Sequence, residues 1–451
     1  MSLLKPGAIQ IIQKVKKQNL TLMKSIEEFL SKHLLKATDF NFQNVVDSFI
    51  LEMEKGLKGE ESSLRMLNTY IEAENALLED TQVLAIDAGG TNFRAAQISL
   101  GSQGKLHINK LMSAKMPGID TEVSKEEFFQ TFADYIRPLM EGCERIGFCF
   151  SYPTEIYPSK DGRLIQFCKE IKAPEVVGEI IGESLLAALH MPDKPVVLLN
   201  DTVSTLLAGK AANYGASFGS YIGYILGTGT NTCYIESNKE ISKTEGLDPD
   251  STQIINIESG NFGKAPVTDI DLAFDNTTTN PGNYTFEKMI AGGYFGGFCL
   301  MALKTAAMEN VFSEATSAKI LELDNLTTET VNLYIQGKEQ DNPLKEIFVE
   351  SDDQTKSKLI IEALIERSAK LIAANLAAVI LKTGKGKSKG QPILITVEGS
   401  TFYKLEKLNR LVLQFLESYF VDEKQRYFKF DNVEQSSLIG AGLAALIDYS
   451  R

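Results

Sequence analysis

The sequence predicts an α/β protein with two domains and a cleft between them. A chain of 451 residues is too long for one simple core, and 43% hydrophobic residues are enough for a globular fold. Two stretches far apart in the chain, 83–96 and 221–236, share one pattern: an apolar strand, a turn rich in Gly and Thr, and a returning strand. Two such turns could face each other and hold a polyphosphate between them.

The composition excludes several classes of function. The net charge is −13, from 46 basic and 59 acidic residues, and an acidic chain without a clustered basic face is a poor nucleic-acid binder. Five cysteines without a CxxC pair favour reduced thiols in a cytoplasm over a disulfide framework or a zinc site. Lysines interrupt residues 7–20, and no apolar run approaches a membrane span, so we expect neither a secretory signal nor a membrane partner.

Helices are predicted where apolar residues recur every three or four positions. They do so over 9–30, where packing against the body of the protein is preferred to a membrane-surface anchor because the polar face mixes both charge signs. Similar spacing predicts helices over 45–53, 125–145 and 358–383. The basic, glycine-rich run 382–390 lacks the strand and helix of a phosphate loop and is predicted to be a flexible solvent loop.

The turn in 83–96 has the chemistry of a phosphate-binding loop. Its glycines permit close backbone approach, its N–H groups form a concave anion site, and Arg94 adds a positive fork suited to phosphate. Asp87 would repel a bare phosphate, which argues for a bridging cation, most simply Mg²⁺. Taken alone, the stretch fits an ordinary Gly-Gly hairpin equally well. The candidate nucleotide contacts are Asp87, Gly89, Gly90, Thr91, Asn92 and Arg94.

The second stretch repeats this pattern, with Gly227, Thr228 and Gly229 at its turn. Together the two stretches resemble the hexokinase family, and matching stretches run from about residue 64 to residue 445. The resemblance implies the two-domain actin-like ATPase (ribonuclease H-like) fold, with a cleft between a small and a large domain. It also implies ATP and Mg²⁺ as cofactors and a hexose, with glucose expected, as the substrate.

The resemblance also implies how the chain is divided. Residues 1–66 would be the helical N-terminal part of the large domain, and 67–200 the small domain with the first turn and the sugar loop. Residues 201–433 would complete the large domain, and 434–451 would be a helix that returns to the small domain. The oligomeric state is not predicted.

The nucleotide site is expected to continue late in the chain. Residues 393–402 give a strand and a turn that resemble the adenosine-site segment of hexokinases, with Glu398 in place of the usual Asp. The resemblance implies that Gly399 and Ser400 contact the nucleotide.

The predicted chemistry centres on Asp201. An apolar strand over 196–199 delivers Asn200 and Asp201 to its carboxyl end, where α/β sheets place ligands. An Asx turn or a helix N-cap also explains these residues. Their position between the two turns, and their match to the Asn-Asp-Thr of hexokinases, favour catalysis. Asp201 is the predicted general base, and Mg²⁺ is expected with the ATP phosphates near Asp87 and Asp201.

Further sugar contacts are implied by the resemblance on several loops. Without it, a turn-capping hydroxyl would be the preferred interpretation of Ser151. Glu258 and Glu287 match two sugar carboxylates, which form charge-assisted hydrogen bonds with neutral hydroxyls, although solvated surface glutamates are the ordinary alternative. The implied substrate contacts are Ser151, Pro153, Gln166, Cys168, Lys169, Asn200, Asp201, Asn231, Glu258 and Glu287.

The sugar loop departs from the family. The usual Asn-Trp-Thr-Lys is Gln-Phe-Cys-Lys over 166–169, so Cys168 replaces a hydroxyl and Gln166 replaces a shorter amide. Another hexose or an amino sugar is therefore an alternative to glucose. A sugar-sensing protein without turnover is a third hypothesis, and the retained Asn-Asp-Thr and both turns argue against it.

Overall fold

Two mixed β-sheets with helices packed on them make up the computed structural model, which describes residues 23–101, 106–167, 171–338 and 341–449. The strands are β1 Leu67–Asn68, β2 Gln82–Gly89, β3 Asn92–Leu100, β4 Leu106–Lys115, β5 Cys143–Phe150, β6 Thr154–Ile156, β7 Gly162–Leu164, β8 Val196–Leu199, β9 Ser220–Leu226, β10 Thr230–Ser237, β11 Thr252–Asn256, β12 Ile393–Glu398 and β13 Phe428–Asp431.

Helices connect and cover these strands. The described part of α1 spans 23–32. The others are α2 Phe42–Lys58, α3 Lys125–Ile136, α4 Ile181–Leu189, α5 Asp201–Ala212, α6 Asp269–Asp275, α7 Thr285–Ile290, α8 Gly292–Met308, α9 Glu314–Glu322, α10 Thr328–Gln336, α11 Pro343–Ile347, α12 Ser351–Lys382, α13 Ser400–Lys404, α14 Leu408–Tyr419 and α15 Ser436–Leu446. Among the described residues, no helix combines the length and the apolar character that a membrane crossing needs.

The two large sheets follow one plan. The five-stranded sheet has the order β4-β3-β2-β5-β8, and the six-stranded sheet has the order β1-β11-β10-β9-β12-β13. In each sheet an antiparallel meander supplies the first strands, and two later strands are added in parallel. The central hairpins β2–β3 and β9–β10 correspond to the two stretches that share one sequence pattern, so both hairpin predictions are confirmed.

Helices α5 and α15 join the two sheets. Helix α5 follows β8 of the five-stranded sheet but packs on β9, β10 and β12 of the other. Helix α15 follows β13 of the six-stranded sheet but packs on β2, β3, β5 and β8, and the two helices pack against each other. Their apolar residues, with those of the facing strands, form one buried cluster between the sheets. The chain therefore crosses between the sheets through the middle of the molecule.

Glycine permits the close approach at this helix crossing. A Cβ added at Gly440 of α15 would overlap the backbone of Ser204 in α5. A Cβ at Gly147 of β5 would overlap the carbonyl of Ala441, and one at Gly209 of α5 would overlap the side chain of Thr396. Glycines at these three positions thus allow the two helices to pack closely against each other and against one strand of each sheet.

Several helix predictions agree with the structure, and two have wrong ends. The predicted second helix is α2, in which Val45, Val46, Phe49 and Met53 are buried. The helix predicted over 125–145 is too long, because α3 ends at Ile136 and a short turn containing Pro138 leads to β5. The long helix α12 begins seven residues before the predicted start, at Ser351. The predicted domain boundaries remain predictions.

We predict that Gly440→Ala lowers the free energy of unfolding by about 1–3 kcal/mol, because overpacked cores lose stability on this scale. The added methyl has to displace the backbone of Ser204. The matched control is Gly390→Ala, because no atom lies within 4 Å of a Cβ there. Urea unfolding of both variants measures the effect, and equal stabilities of the two variants would contradict the close contact.

Candidate functional site

A cleft of about 710 Å³ lies between the two sheets. Its walls come from the link that leads from β5 into β6, from the turn between β8 and α5, from the β9–β10 hairpin, from the loop that follows β11, and from helix α7. The structure therefore brings together residues that lie far apart in the sequence. Of the predicted site residues, this cleft is lined by Ser151, Pro153, Asn200, Asp201, Gly229, Asn231, Glu258 and Glu287.

Asp201 is the first residue of α5, immediately after β8. Asn200 is the N-cap of that helix, and its side-chain oxygen accepts a hydrogen bond of 2.8 Å from the Thr202 N–H. The Asp201 Oδ1 atom accepts from the same N–H at 2.8 Å. Helix capping by Asn200 and exposure of Asp201 to the cleft thus occur together, and the cap fixes the turn that carries the carboxylate.

The first glycine turn carries an ion pair between a buried carboxylate and a half-buried arginine. Gly89 pairs with Asn92, and Gly90, with φ of 64°, adopts the left-handed conformation that the tight turn requires. Arg94 Nε donates to Asp87 Oδ2 at 2.9 Å, and its Nη2 donates to the same oxygen. Burial raises the pKa of Asp87, while Arg94 opposes this effect. Arg94 is therefore engaged by Asp87, and a phosphate at this turn would share it.

The second glycine turn is held by the start of α8. The N–H of Gly292 donates to the Gly227 carbonyl at 2.8 Å, and the N–H of Gly293 donates to the Thr228 carbonyl at 2.9 Å. Thr401 Oγ1 also donates to the Gly227 carbonyl, at 2.8 Å. The turn between β9 and β10 is therefore fixed against two helices that lie far from it in sequence.

A second pocket of about 660 Å³ adjoins this turn. It is lined by Thr228, the start of α8, one face of α10, and α13 including Ser400. Gly399, with φ of 118°, lies against the backbone of Leu226 at the end of β9, where only glycine fits. The predicted segment 399–400 therefore meets the second glycine turn. Helix α10 was not predicted to be part of the site, and no local pattern marks its residues that line the pocket, Thr328, Asn332, Leu333 and Gln336.

Two glutamates face the cleft, and each carboxylate is held by different hydrogen-bond donors. Glu258 Oε1 accepts hydrogen bonds from Asn231 Nδ2 at 3.0 Å and Asn256 Nδ2 at 2.9 Å. Glu287 Oε2 accepts from the Thr230 N–H at 2.9 Å. Burial raises the pKa of both carboxyls, and the negative charge of Glu258 adds to the effect on Glu287, whose pKa rises to about 7. Neither is a solvated surface glutamate, and Asn256 is a cleft residue that the prediction missed.

Comparison with protein families identifies the family to which this chain belongs. One family model described as hexokinase matches residues 25–211, and a second with the same description matches residues 221–447. The chain belongs to the hexokinase family. It is therefore a phosphotransferase that acts on a sugar hydroxyl, and the family implies ATP as the phosphoryl donor.

Relatives match along most of their length. The chain is 30% identical over 434 residues to Hexokinase-9 of Oryza sativa subsp. japonica, covering 89% of this chain and 86% of the relative. It is 29% identical over 439 residues to Hexokinase-2 of Solanum tuberosum, covering 90% of this chain and 88% of the relative. Among solved structures, a hexokinase from Schistosoma mansoni complexed with glucose is similar with a TM-score of 0.73 at 22% identity, covering 94% of this chain and 99% of that one. This likeness confirms the predicted two-domain fold.

The hexokinase sugar loop is only partly described. Gln166 is exposed and is absent from the residues that line the cleft, whereas its neighbour Ile165 lines it. The rings of Phe167 and Tyr152 lie 5.0 Å apart, which ties the loop to the link after β5. Cys168 and Lys169 lie outside the described residues. Their implied sugar contacts remain predictions.

The mouth of the cleft contains basic residues that the sequence did not single out. Arg65 and Lys243 both line it. Lys243 Nζ donates to the Arg65 carbonyl at 3.0 Å, and burial lowers the pKa of Lys243 to about 8. No local pattern marked Lys243, because its burial depends on the packing of two distant loops.

We predict that Glu287→Gln stabilises the unliganded protein more at pH 8.5 than at pH 5. The folded protein holds the Glu287 proton up to about pH 7, whereas the unfolded chain releases it near the ordinary value of 4.5. The folded state thus loses stability as pH rises through this window, and glutamine, which stays neutral, escapes the loss.

Thermal unfolding at the two pH values measures this difference. Glu434→Gln is the matched control, because Glu434 is exposed. A Glu287→Gln effect that does not change with pH would contradict the raised pKa.

Proposed function

We propose that the protein is an ATP-dependent hexokinase that transfers the γ-phosphoryl group of MgATP to the 6-hydroxyl of a hexose, with glucose as the expected substrate and the cytoplasm as the expected location. The observation that carries the proposal is the position of Asp201. It lies at the start of α5 in the cleft, opposite the hydrogen-bonded carboxylates Glu258 and Glu287. A sugar that binds these groups would present a hydroxyl to Asp201.

Asp201 would act as a late general base. A sugar hydroxyl is a far weaker acid than a carboxylic acid, so Asp201 cannot form a free alkoxide in the ground state. Phosphoryl transfer passes through a loose transition state that needs little charge on the nucleophile early in the reaction. The carboxylate can therefore orient the hydroxyl in line with the phosphorus and take its proton late.

Polar side chains on the other wall would orient the sugar. Asn231 donates to Glu258, which leaves the remaining carboxylate oxygen to receive sugar hydroxyls. Glu287 in its ionised form is a second acceptor. Ser151 and Asn200 lie on the wall that carries Asp201. Lys169 and Cys168 complete the proposed set on the strength of the resemblance alone.

The donor set fits Mg²⁺ that arrives with ATP. Within the described residues, no group of three or more His, Cys, Asp or Glu side chains could hold a resident metal ion. Asp87 is a buried carboxylate on the first glycine turn and fits a cation bound mainly through phosphate oxygens and water. When bound, such a cation would supply charge neutralisation on the transferred group, and the turn N–H groups and Arg94 would bind phosphate oxygens.

Another hexose or an amino sugar is the second candidate substrate. It is motivated by the departure of the sugar loop from the family pattern, in which Gln166 replaces a shorter amide and Cys168 replaces a threonine hydroxyl. A sugar sensor without turnover is disfavoured, because the chain retains Asn200-Asp201-Thr202 and both glycine turns.

We predict that Asp201→Asn and Asp201→Ala bind nucleotide normally and lose about 10²–10⁴-fold in kcat, which is the usual contribution of a positioned general base. ADP release with hexose measures turnover, and calorimetry measures nucleotide binding. The matched control is Asp193→Asn, an exposed carboxylate that precedes β8. Turnover near that of the parent in both Asp201 variants would exclude Asp201 as the base.

We further propose that sugar closes the cleft. Water is also a hydroxyl nucleophile, so a permanently assembled site would hydrolyse ATP. Closure on sugar assembles the site only with the acceptor bound, and the proposed hinges are residues 64–70, 197–203 and 432–438. Small-angle scattering should show a smaller radius of gyration with saturating hexose than with ATP alone. An equal radius in both samples would count against closure.

A further inference from the structure

A buried polar cluster lies where β12, α5 and α15 converge. The Glu398 Oε2 atom, at the end of β12, accepts a hydrogen bond of 3.3 Å from Thr205 Oγ1 in α5 and another from Ser436 Oγ at the start of α15. Thr205 and Ser436 are buried, and their hydroxyl oxygens are 3.5 Å apart. One carboxylate oxygen thus links the six-stranded sheet to both helices that join the two sheets.

This cluster is coupled to Asp201 through the first turn of α5. Thr205 Oγ1 carries a single proton, which it shares between Glu398 and the Asp201 carbonyl oxygen, 2.9 Å away and one helical turn back in α5. Any shift of α5 relative to β12 would therefore move Asp201 and stretch the contact between Thr205 and Glu398. We propose that Glu398 is a positioning residue for phosphoryl transfer, which fixes the first turns of α5 and α15 and thereby sets the place of Asp201 in the cleft. The inference rests on the proposed function of Asp201.

Helix geometry favours a hydrogen-bond acceptor at this position. Ser436 is the first residue of α15 and Thr205 lies one turn into α5, so an acceptor at the end of β12 can meet the hydroxyls of both helices near their amino ends. The two helices are in close contact at Gly440 and Ser204. A relative movement of α5 and α15 would therefore be a rotation about this contact rather than a separation. A link at the amino ends of both helices would set the angle at which they cross.

The length of the Glu398 side chain distinguishes this protein from the usual hexokinase pattern. Glu398 stands where the hexokinase pattern usually has Asp, and its extra methylene carries the carboxylate from the strand end to both hydroxyls. Its negative charge offers a second role, since it adds to the effect of burial in raising the pKa of Asp87. Reach and charge can be separated, because Asp keeps the charge and shortens the side chain, whereas Gln keeps the length and removes the charge.

The test compares Glu398→Asp with Glu398→Gln in steady-state kinetics. If Glu398 acts by reach, Glu398→Gln retains kcat within about threefold, and Glu398→Asp loses on the order of 10–100-fold with little change in KM for hexose or ATP, because small misplacements of a reacting group carry such losses. The opposite order would overturn the proposal and assign the effect to charge. Equal kcat values in both variants and the parent would also overturn it.

Further variants keep the test falsifiable. Ser436→Ala removes one hydrogen bond and retains the carboxylate, so it carries the test if Glu398→Asp does not fold, and it should reproduce the loss in kcat. In a double-mutant cycle, Glu398→Asp and Ser436→Ala should be non-additive. Additive losses in kcat would contradict the proposal that both residues act through one hydrogen-bonded link. The matched controls are Glu417→Asp and Glu417→Gln, since Glu417 is exposed on α14.

The Asp201→Asn background separates this inference from the proposed function. Adding Glu398→Asp to Asp201→Asn should lower kcat no further, because the group that Glu398 positions is already inactive. A further loss of tenfold or more would overturn the positioning role while leaving Asp201 as the base. Full activity of Asp201→Asn would instead contradict the proposed function itself.

Discussion

The crossing of α5 and α15 is the constraint on which the rest of the structure depends. Each helix follows the last strand of one sheet and packs on the other sheet, so the two sheets share one buried layer. Backbone contact at Gly440 and Gly147 makes that layer thin. Any residue with a Cβ at these positions would overlap the neighbouring backbone. The glycines therefore specify the helix crossing as strictly as the apolar residues do. The cleft, with its chemistry, lies at one end of this crossing.

The repeated sheet plan explains why the candidate site lies there. In both sheets the parallel strands end at the same edge, and a glycine hairpin extends beyond each edge. Asp201 follows β8 of one sheet, whereas Gly399 follows β12 of the other. A nucleotide between the hairpins would therefore contact both halves, and a sugar would contact Asp201 on one wall and Glu258 on the other. The arrangement fits a phosphotransferase, and the proposed closure would bring its two halves together around both substrates.

Part of the fold and of the candidate site could be predicted from the sequence, because it depends on short local patterns. Glycine turns and apolar strands are local patterns, which is why both hairpins and the placement of Asp201 could be inferred. The N–H groups of Gly292 and Gly293 at the second turn and the face of α10 depend on tertiary packing and left no local pattern. The end of α3 was misjudged because apolar spacing continues past it, whereas Pro138 and the start of β5 end the helix.

The measurement that tests the account most directly is ADP release from MgATP by the purified protein across a panel of glucose, mannose, fructose and glucosamine. ADP and sugar phosphate should appear in equal amounts, only when a hexose is present, and fastest with glucose. Faster turnover of another sugar would replace glucose as the substrate and leave the catalytic account intact. ADP release that is absent, or that is independent of every sugar, would contradict the account of Asp201 and the cleft.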